Sequence, residues 1–514
     1  MSRTSELIIG LNAGSFEARA AAFQINGREV ACAAQGNPIA RPDDGGIECE
    51  PGEAWQTCVR LLRRLSEQVP GLAGRTAALA ITGPSGGAWP VDEDGDPIAP
   101  ACLWLDARAE GVVREWRLSG AAQAAEDLTG SRITAAATPA QLAWLRRHRP
   151  QALARAATVL DASGWLHLCC TGERAIDPAN AIASFGNLVT GAYDGRVLDL
   201  LGLLDLEPLL PSTGSGMRHA GRLGAAPAAA LGLLEGTPVV LAPADRLAAA
   251  LAVGLDASAG GVGCSLLGPR AVHMRIGRER ARVEAGEGSF PSIAPFPAGG
   301  YARAVTTSEG MLCVDWLVGT CEQLLVDAGL IGFPRSELID LLERKARATT
   351  GPIPAFHLLG AEASMHCAPG PAARMRLEGL SGKDSLYAIL RAIYAGIGRS
   401  ARIGHDALGD SLRELRVAGE GARSSLCRGI LGACIGAPVR VLQRSDAAAT
   451  GAALLATLVL GHYRDARASF PDWVLPHLSD PEPVEGDLAA LCDEEAPPAT
   501  ACSPASRRIE PVSP

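Results

Sequence analysis

The chain has 514 residues, with 56 acidic against 47 basic side chains and a formal net charge of −9. No block of lysine and arginine stands out that would neutralise a run of phosphates, so nucleic acid is not expected as a partner. The length is ample for two separate cores with a cleft between them.

The N-terminal residues Met1–Gly14 hold one basic residue and a short apolar run, Leu7–Ile9, which is not the pattern of a signal peptide. Alanine-rich stretches are broken by Arg, Asp, Gly or Pro well before the ~20 apolar residues of a bilayer-spanning helix, so no membrane segment is expected. The 14 cysteines are scattered without paired metal-ligand spacing and are read as reduced structural thiols of a cytoplasmic protein.

In chain order, Leu7–Ile9 is an apolar strand running into the turn Gly10-Leu11-Asn12-Ala13-Gly14-Ser15. Alternating residues Ala18–Phe23 and an Asn26-Gly27 bend then predict a hairpin. Trp55, Val59, Leu62 and Leu65 at helical spacing predict a helix from Pro51 to Gln68. A buried strand over Ala77–Thr82 follows, and a further strand ends at Asp94-Gly95. The pattern from Gln141 to Leu168 reads as helical, and Leu234–Ala242 reads as a strand. The second half predicts a strand at Val262–Leu267, a long helix at Asp384–Leu408, a strand at Glu414–Ala418 and a helix at Ala447–Leu460. Alternating strands and helices argue for an α/β architecture, and the glycines with Asp256 and Ser258 suggest a boundary near residues 255–261. Residues Pro481–Pro514 hold many Pro, Glu, Ala and Ser and are expected to form a flexible tail.

Three constellations carry chemistry. In Gly10–Ser15, backbone N–H groups and the Ser15 hydroxyl suit an anion, although a hairpin bend explains the same residues. In the second, Gly83-Pro84-Ser85-Gly86-Gly87 precedes Trp104-Leu105-Asp106-Ala107-Arg108. Alternate positions there put an aromatic, an acid and a base on one face, either as a binding surface or as an ion pair tying a loop. The third places Asp245 just after the strand Val239–Ala242, at the start of an alanine-rich helix. Open α/β sheets place their reacting groups at that point, but aspartate there also serves as a helix N-cap.

The order of motifs resembles the FGGY family, which phosphorylates xylulose, glycerol, gluconate and related compounds. The resemblance runs over residues 6–460, through the Gly10 loop, Glu48-Cys49-Glu50-Pro51 to Trp55, Trp104-x-Asp106-x-Arg108, Trp144 with Pro150, and Asp177. It continues through Pro211, Gly236–Val240, Asp245, Gly419–Ser424, Ala437-Pro438-Val439 and Gly451–Ala456. It implies an α/β fold of two actin-like (ribonuclease H-like) domains closing over ATP, Mg²⁺ and a small sugar or polyol, with a xylulose-like ketopentose as the default substrate. It further implies residues 6–256 as an N-terminal sugar-binding domain, 257–462 as a nucleotide-binding domain and 463–514 as the tail.

Under this resemblance Asp245 is the catalytic base. Ser85, Gly86, Trp104, Asp106 and Arg108 face the acceptor. Gly10, Asn12, Gly14, Ser15, Gly268, Arg270, Gly419, Gly421, Ala422 and Arg423 face the nucleotide, with Asn12 also on the metal. A homodimer is left open, since no heptad or apolar stripe marks an interface.

The chain departs from the family at several of these contacts. Asn12 stands where the family carries an aspartate, which lowers the expected metal affinity. Pro269 in Gly268-Pro269-Arg270 lacks the N–H and hydroxyl of the family's Gly-Thr-Ser loop, although Arg270 offers a cationic fork. Glu420 interrupts the adenosine-side glycines, Ser85-Gly86 replaces Met-His, and Gly360-Ala361-Glu362-Ala363-Ser364 keeps little of Gly-Glu-Arg-Thr-Pro. Two readings follow: an ATP-dependent carbohydrate kinase, or a catalytically weakened relative that binds a metabolite or partner.

Overall fold

The computed structural model describes residues 6–213, 220–258, 260–283, 289–330, 332–351, 353–359, 374–489 and 491. Two six-stranded sheets organise it. The first has the strand order Gly221–Arg222, Pro238–Leu241, Thr76–Thr82, Leu7–Asn12, Glu17–Gln24, Glu29–Gly36. The second runs Ser289–Pro295, Tyr301–Thr307, Ala271–Gly277, Val262–Leu267, Glu414–Ala418, Val439–Val441.

The two sheets share one plan. In each, an antiparallel meander passes into parallel strands: Leu7–Asn12 with Thr76–Thr82 and Pro238–Leu241 in the first, and Val262–Leu267 with Glu414–Ala418 and Val439–Val441 in the second. The central strands are apolar throughout because helices cover both faces; Leu7, Ile8 and Ile9 are all fully buried. The helix Pro51–Gln68 starts with its proline at the first turn and buries Leu61, Leu62 and Leu65 on one stripe. The two-domain α/β arrangement inferred from the sequence is therefore present.

The lobes meet through close backbone approach. Helix Ala447–Val459 lies on strand Leu7–Asn12 and on helix Asp245–Ala252. Only glycine fits at two of these contacts: a Cβ on Gly451 would sit 1.8 Å from the Ala248 carbonyl oxygen, and one on Gly10 would sit 2.0 Å from that of Ala449.

Three expectations change. The segment Gln141–Leu168 is not one helix: Thr138–His148 ends before a short strand, Thr158–Leu160, and a second helix spans Ala162–Thr171. Arg149-Pro150 breaks the run, because proline cannot continue the preceding helix and disfavours helical backbone at the residue before it. The tail expected over 463–514 is packed through residue 489. Helix Ala466–Trp473 buries Trp473 completely, and the indole donates to the Ile25 carbonyl at 2.9 Å beside Phe23, with ring centroids 5.3 Å apart. A few large side chains anchor a segment whose average composition is polar, which composition averaging hides. Among the described cysteines, ten are free thiols, whereas Cys434 is disulfide-bonded. No described helix is long and apolar enough to cross a membrane.

Candidate active site

The parallel strands of the two sheets bring six loops to one place. Asn12 ends the first strand, Gly83 follows the second and Asp245 stands four residues beyond the third, so their loops meet at the carboxyl ends of neighbouring strands. Hydrogen bonds tie them together: the Ala13 N–H donates to Thr82 at 2.8 Å and the Asp245 N–H to Gly83 at 2.9 Å, and the Thr82 hydroxyl donates to Pro243 at 2.6 Å. The second sheet repeats the arrangement with Gly268–Arg270, Gly419–Arg423 and Leu442–Asp446. Both sets line one cleft of about 1120 Å³.

Asp245 opens helix Asp245–Ala252, but the cap position is Ala244, with no side-chain cap. Asp245 is therefore not the N-cap. Its carboxylate accepts the Arg246 N–H at 2.6 Å and lines the cleft. Burial pushes its pKa above the usual carboxylate range, opposed by the hydrogen bond and charge of Arg246 and reinforced by the charge of Asp446. A carboxyl raised in this way is a better acceptor for a hydroxyl proton than an ordinary surface carboxylate.

Asp446, which the sequence reading missed, is the N-cap of the partner helix, accepting the Ala449 N–H at 2.6 Å. Its carboxylate also receives the Asn12 amide at 3.3 and 3.4 Å. The signal was in the chain: each half has an acid opening an alanine-rich helix, Asp245-Arg-Leu-Ala and Asp446-Ala-Ala-Ala. The Asn12 Oδ1 is buried and makes no hydrogen bond. An orphaned oxygen on an amide that stands against the Asp446 carboxylate fits a hydrated divalent cation, which takes oxygen ligands directly or through its waters.

The acceptor wall holds only part of the expected set. Ser85, Gly86 and Trp104 line the cleft, with the Trp104 indole donating to Ser15 Oγ at 3.0 Å. Gly86 has φ 86°, and a Cβ there would meet the Ala136 carbonyl at 2.7 Å; the position excludes a side chain. Asp106 and Arg108 do not reach the cleft. Arg108 bonds Asp106 at 2.6 Å, Glu48 at 2.5 Å and Asp44 at 2.8 Å, and lies 4.1 Å over the Trp144 ring. Glu48, Cys102 and Asp106 converge closely enough to suggest a metal site. The Arg108 guanidinium bonds all three, so it holds their ligand atoms itself. The alternation expected to put Trp104, Asp106 and Arg108 on one face does not hold: a turn at Trp104-Leu105 leaves Trp104 on the cleft and turns the other two into the first lobe.

On the nucleotide wall, Asn12, Gly14, Ser15, Gly268, Arg270, Gly419, Ala422 and Arg423 line the cleft. Gly10 and Gly421 do not: Gly10 is spent on the approach of Ala449, and a Cβ on Gly421 would meet Met311 Sδ at 2.7 Å. Both glycines serve packing. Glu420 also lines the cleft but is exposed, so it borders the gap from its solvent side and does not fill it. Arg270 reaches across from the second lobe to within 5.1 Å of the Trp104 ring and 6.0 Å of Phe290. The stretch 360–364 lies outside the described residues.

Residues 7–252 match the N-terminal domain, and residues 297–460 the C-terminal domain, of the FGGY family of carbohydrate kinases. The chain belongs to that family. As an FGGY protein it is a carbohydrate kinase, and kinases of this family use ATP with a divalent metal. It is 35% identical to the erythritol kinase of Brucella abortus over 504 residues, covering 96% of this chain and 95% of that one. The L-xylulose/3-keto-L-gulonate kinase of Escherichia coli is 28% identical over 250 residues, 48% of this chain and 50% of that one. Among solved structures, xylulose kinase from Rhodospirillum rubrum superposes with a TM-score of 0.75 at 22% identity, covering 95% of this chain and 96% of that one. The glycerol kinase of Plasmodium falciparum with ADP gives 0.75 at 15% identity, covering 94% of each. These last two show the FGGY fold.

Proposed function

We propose that this kinase transfers the γ-phosphate of MgATP to a hydroxyl of a small acyclic polyol, with Asp245 as the base. The observation that supports this reading is the placement of the Asp245 carboxylate in a cleft with Ser85 and Trp104 on one wall and the second-lobe glycine loops on the other. The acceptor oxygen attacks phosphorus, its proton passes to Asp245, and the bond from the γ-phosphorus to the bridging oxygen breaks to release ADP. Positioning supplies most of the acceleration, because phosphoryl transfer needs little covalent help.

Asn12 Oδ1 and the Asp446 carboxylate, which face each other across the cleft, would hold Mg²⁺, which when bound neutralises charge on the phosphates. Gly268, Arg270, Gly419 and Arg423 would bind the nucleotide. Pro269 removes one N–H from that wall, and Arg270, two residues past Gly268 and projecting into the cleft, offers donors in its place.

A four-carbon polyol of the erythritol type is the first acceptor to test, because the relative named for it matches along nearly the whole chain. A xylulose-like ketopentose is second. A coupled ADP assay over tetritols, pentitols, pentuloses and aldonates decides the point: the highest kcat/KM belongs to a tetritol, and a panel led by an aldonate would refute the neutral-polyol reading. The reading as a catalytically weakened relative gains no support from the geometry, because Pro269 and Glu420 leave the cleft open.

A further inference from the structure

Arg246 follows the base directly in the chain, and the sequence reading gave it no role. It is the second residue of helix Asp245–Ala252, is partly buried and lines the cleft. Its backbone N–H serves Asp245. Among the described residues its guanidinium makes no hydrogen bond or ion pair, although it lies in the field of Asp245 and Asp177.

Two other arginines along the cleft are held by carboxylates. Arg428 is held by Glu482 at 2.8 Å and Arg19 by Glu17 at 2.5 Å. A guanidinium carries five N–H donors in a rigid fork, and withdrawing it from water without acceptors is costly. Burial indeed works against its charged form. Such a group is stabilised by an oxyanion that enters with the ligand.

Position narrows which oxyanion. A base acts within hydrogen-bond reach of the acceptor hydroxyl, and that oxygen stands about 3–3.5 Å from phosphorus at attack. Arg246 lines the same cleft as Asp245 and lies in the field of its carboxylate, which puts the guanidinium beside the phosphoryl group in flight. The loop that would otherwise donate to that group has Pro269, without an N–H. This deepens the proposed function and rests on it.

The geometry points to Arg246 as a catalytic residue that binds the equatorial oxygens of the phosphoryl group as it moves from nucleotide to acceptor. The atom balance is unchanged: the new oxygen–phosphorus bond forms, the bridging bond breaks, the proton goes to Asp245, and Arg246 gives and takes nothing. Its contribution is charge held where the transition state spreads it.

Three variants test this with the preferred acceptor and MgATP. Arg246→Gln should lose about 100- to 1000-fold in kcat, the loss typical of removing one such donor, with both KM values changed less than about threefold. Arg246→Lys should fall between the two, and added guanidinium chloride should restore part of the kcat of Arg246→Ala. In thermal scans, ADP with aluminium fluoride and acceptor should raise the Tm of the parent well above that with ADP and acceptor alone, and this extra rise should vanish in Arg246→Gln. Parental kcat in Arg246→Gln, a rise in acceptor KM with kcat kept, or an undiminished aluminium fluoride shift would each overturn the assignment. Should Arg246→Gln fold poorly, Arg246→Lys at matched Tm and the guanidinium rescue carry the test. A parent that phosphorylates no acceptor defeats the proposed function instead, so the two failures are distinct.

Discussion

The Asn12 amide of the first lobe donates to the Asp446 carboxylate of the second at 3.3 and 3.4 Å, linking two residues 434 positions apart across the cleft. The negative charge that the family resemblance implied at position 12 is absent, and the partly buried Asp446 carboxylate stands against the amide there.

Asn12→Asp puts a second carboxylate against Asp446 without a hydrogen bond between them. The metal-free variant should lose stability from like-charge repulsion, and its Mn²⁺ or Mg²⁺ affinity should rise. Calorimetric titration and Tm with and without metal measure both. Unchanged metal affinity would remove Asn12 from the metal site.

Arg108 is 5% exposed and neutralises three carboxylates, of which Asp106 and Glu48 are buried. Removing one partner of a buried network costs about 3–5 kcal/mol. Arg108→Ala should therefore lower Tm strongly while leaving acceptor KM in the remaining folded enzyme within about twofold. A large KM effect at matched stability would restore the acceptor-contact role inferred from the sequence.

Much of the scaffold could be read from residue patterns. The strands Val262–Leu267 and Glu414–Ala418 and the helix Pro51–Gln68 were bounded correctly, because long runs with one clear period and a proline or glycine at the end leave little freedom. The site was half legible. Loops at strand ends could be found, since Asp245, Ser85 and Asn12 each follow an apolar strand. The direction in which Asp106 and Arg108 point could not, because the alternation assumes an extended segment and the chain turns at Trp104-Leu105. Asp446 was hidden for another reason: an aspartate opening a helix looks like a cap, and it is one, while also facing the cleft.

The pair Gly451 and Ala248 tests the contact between lobes. Alanine in mid-helix is ordinarily favoured over glycine by about 1 kcal/mol, but the new methyl would lie 1.8 Å from a carbonyl oxygen. Overpacking of that kind costs about 1–3 kcal/mol, so Gly451→Ala should be destabilised in a denaturant titration despite its better helix propensity. A stabilised variant would show that the helices separate freely.

Two buried groups should give opposite pH dependences. Asp177 is 4% exposed, and burial lifts its pKa from 3.8 to about 7. The folded state then keeps a proton that the unfolded chain releases, so this stability is present below pH 3.8 and is lost as pH rises toward about 7. His273 is fully buried against Ser265 at 2.8 Å, and burial drives its pKa from 6.5 to about 3. The unfolded chain binds a proton that the fold refuses, so stability present above pH 6.5 falls as pH drops toward about 3. Measured as Tm against pH, Asp177→Asn, which keeps a capping oxygen, should gain most relative to the parent near pH 7.5, and His273→Gln should lose least near pH 5. Parallel curves for parent and variant would contradict the corresponding assignment.

Turnover of Asp245→Asn tests the central claim most directly, because the amide keeps the shape of the carboxylate and cannot take the proton. With folding verified by an unchanged Tm, ADP release in the presence of the preferred polyol should fall by about 100-fold or more, while the MgATP-induced thermal shift is retained. An Asp245→Asn protein that turns over like its parent would contradict the assignment of this carboxylate as the base.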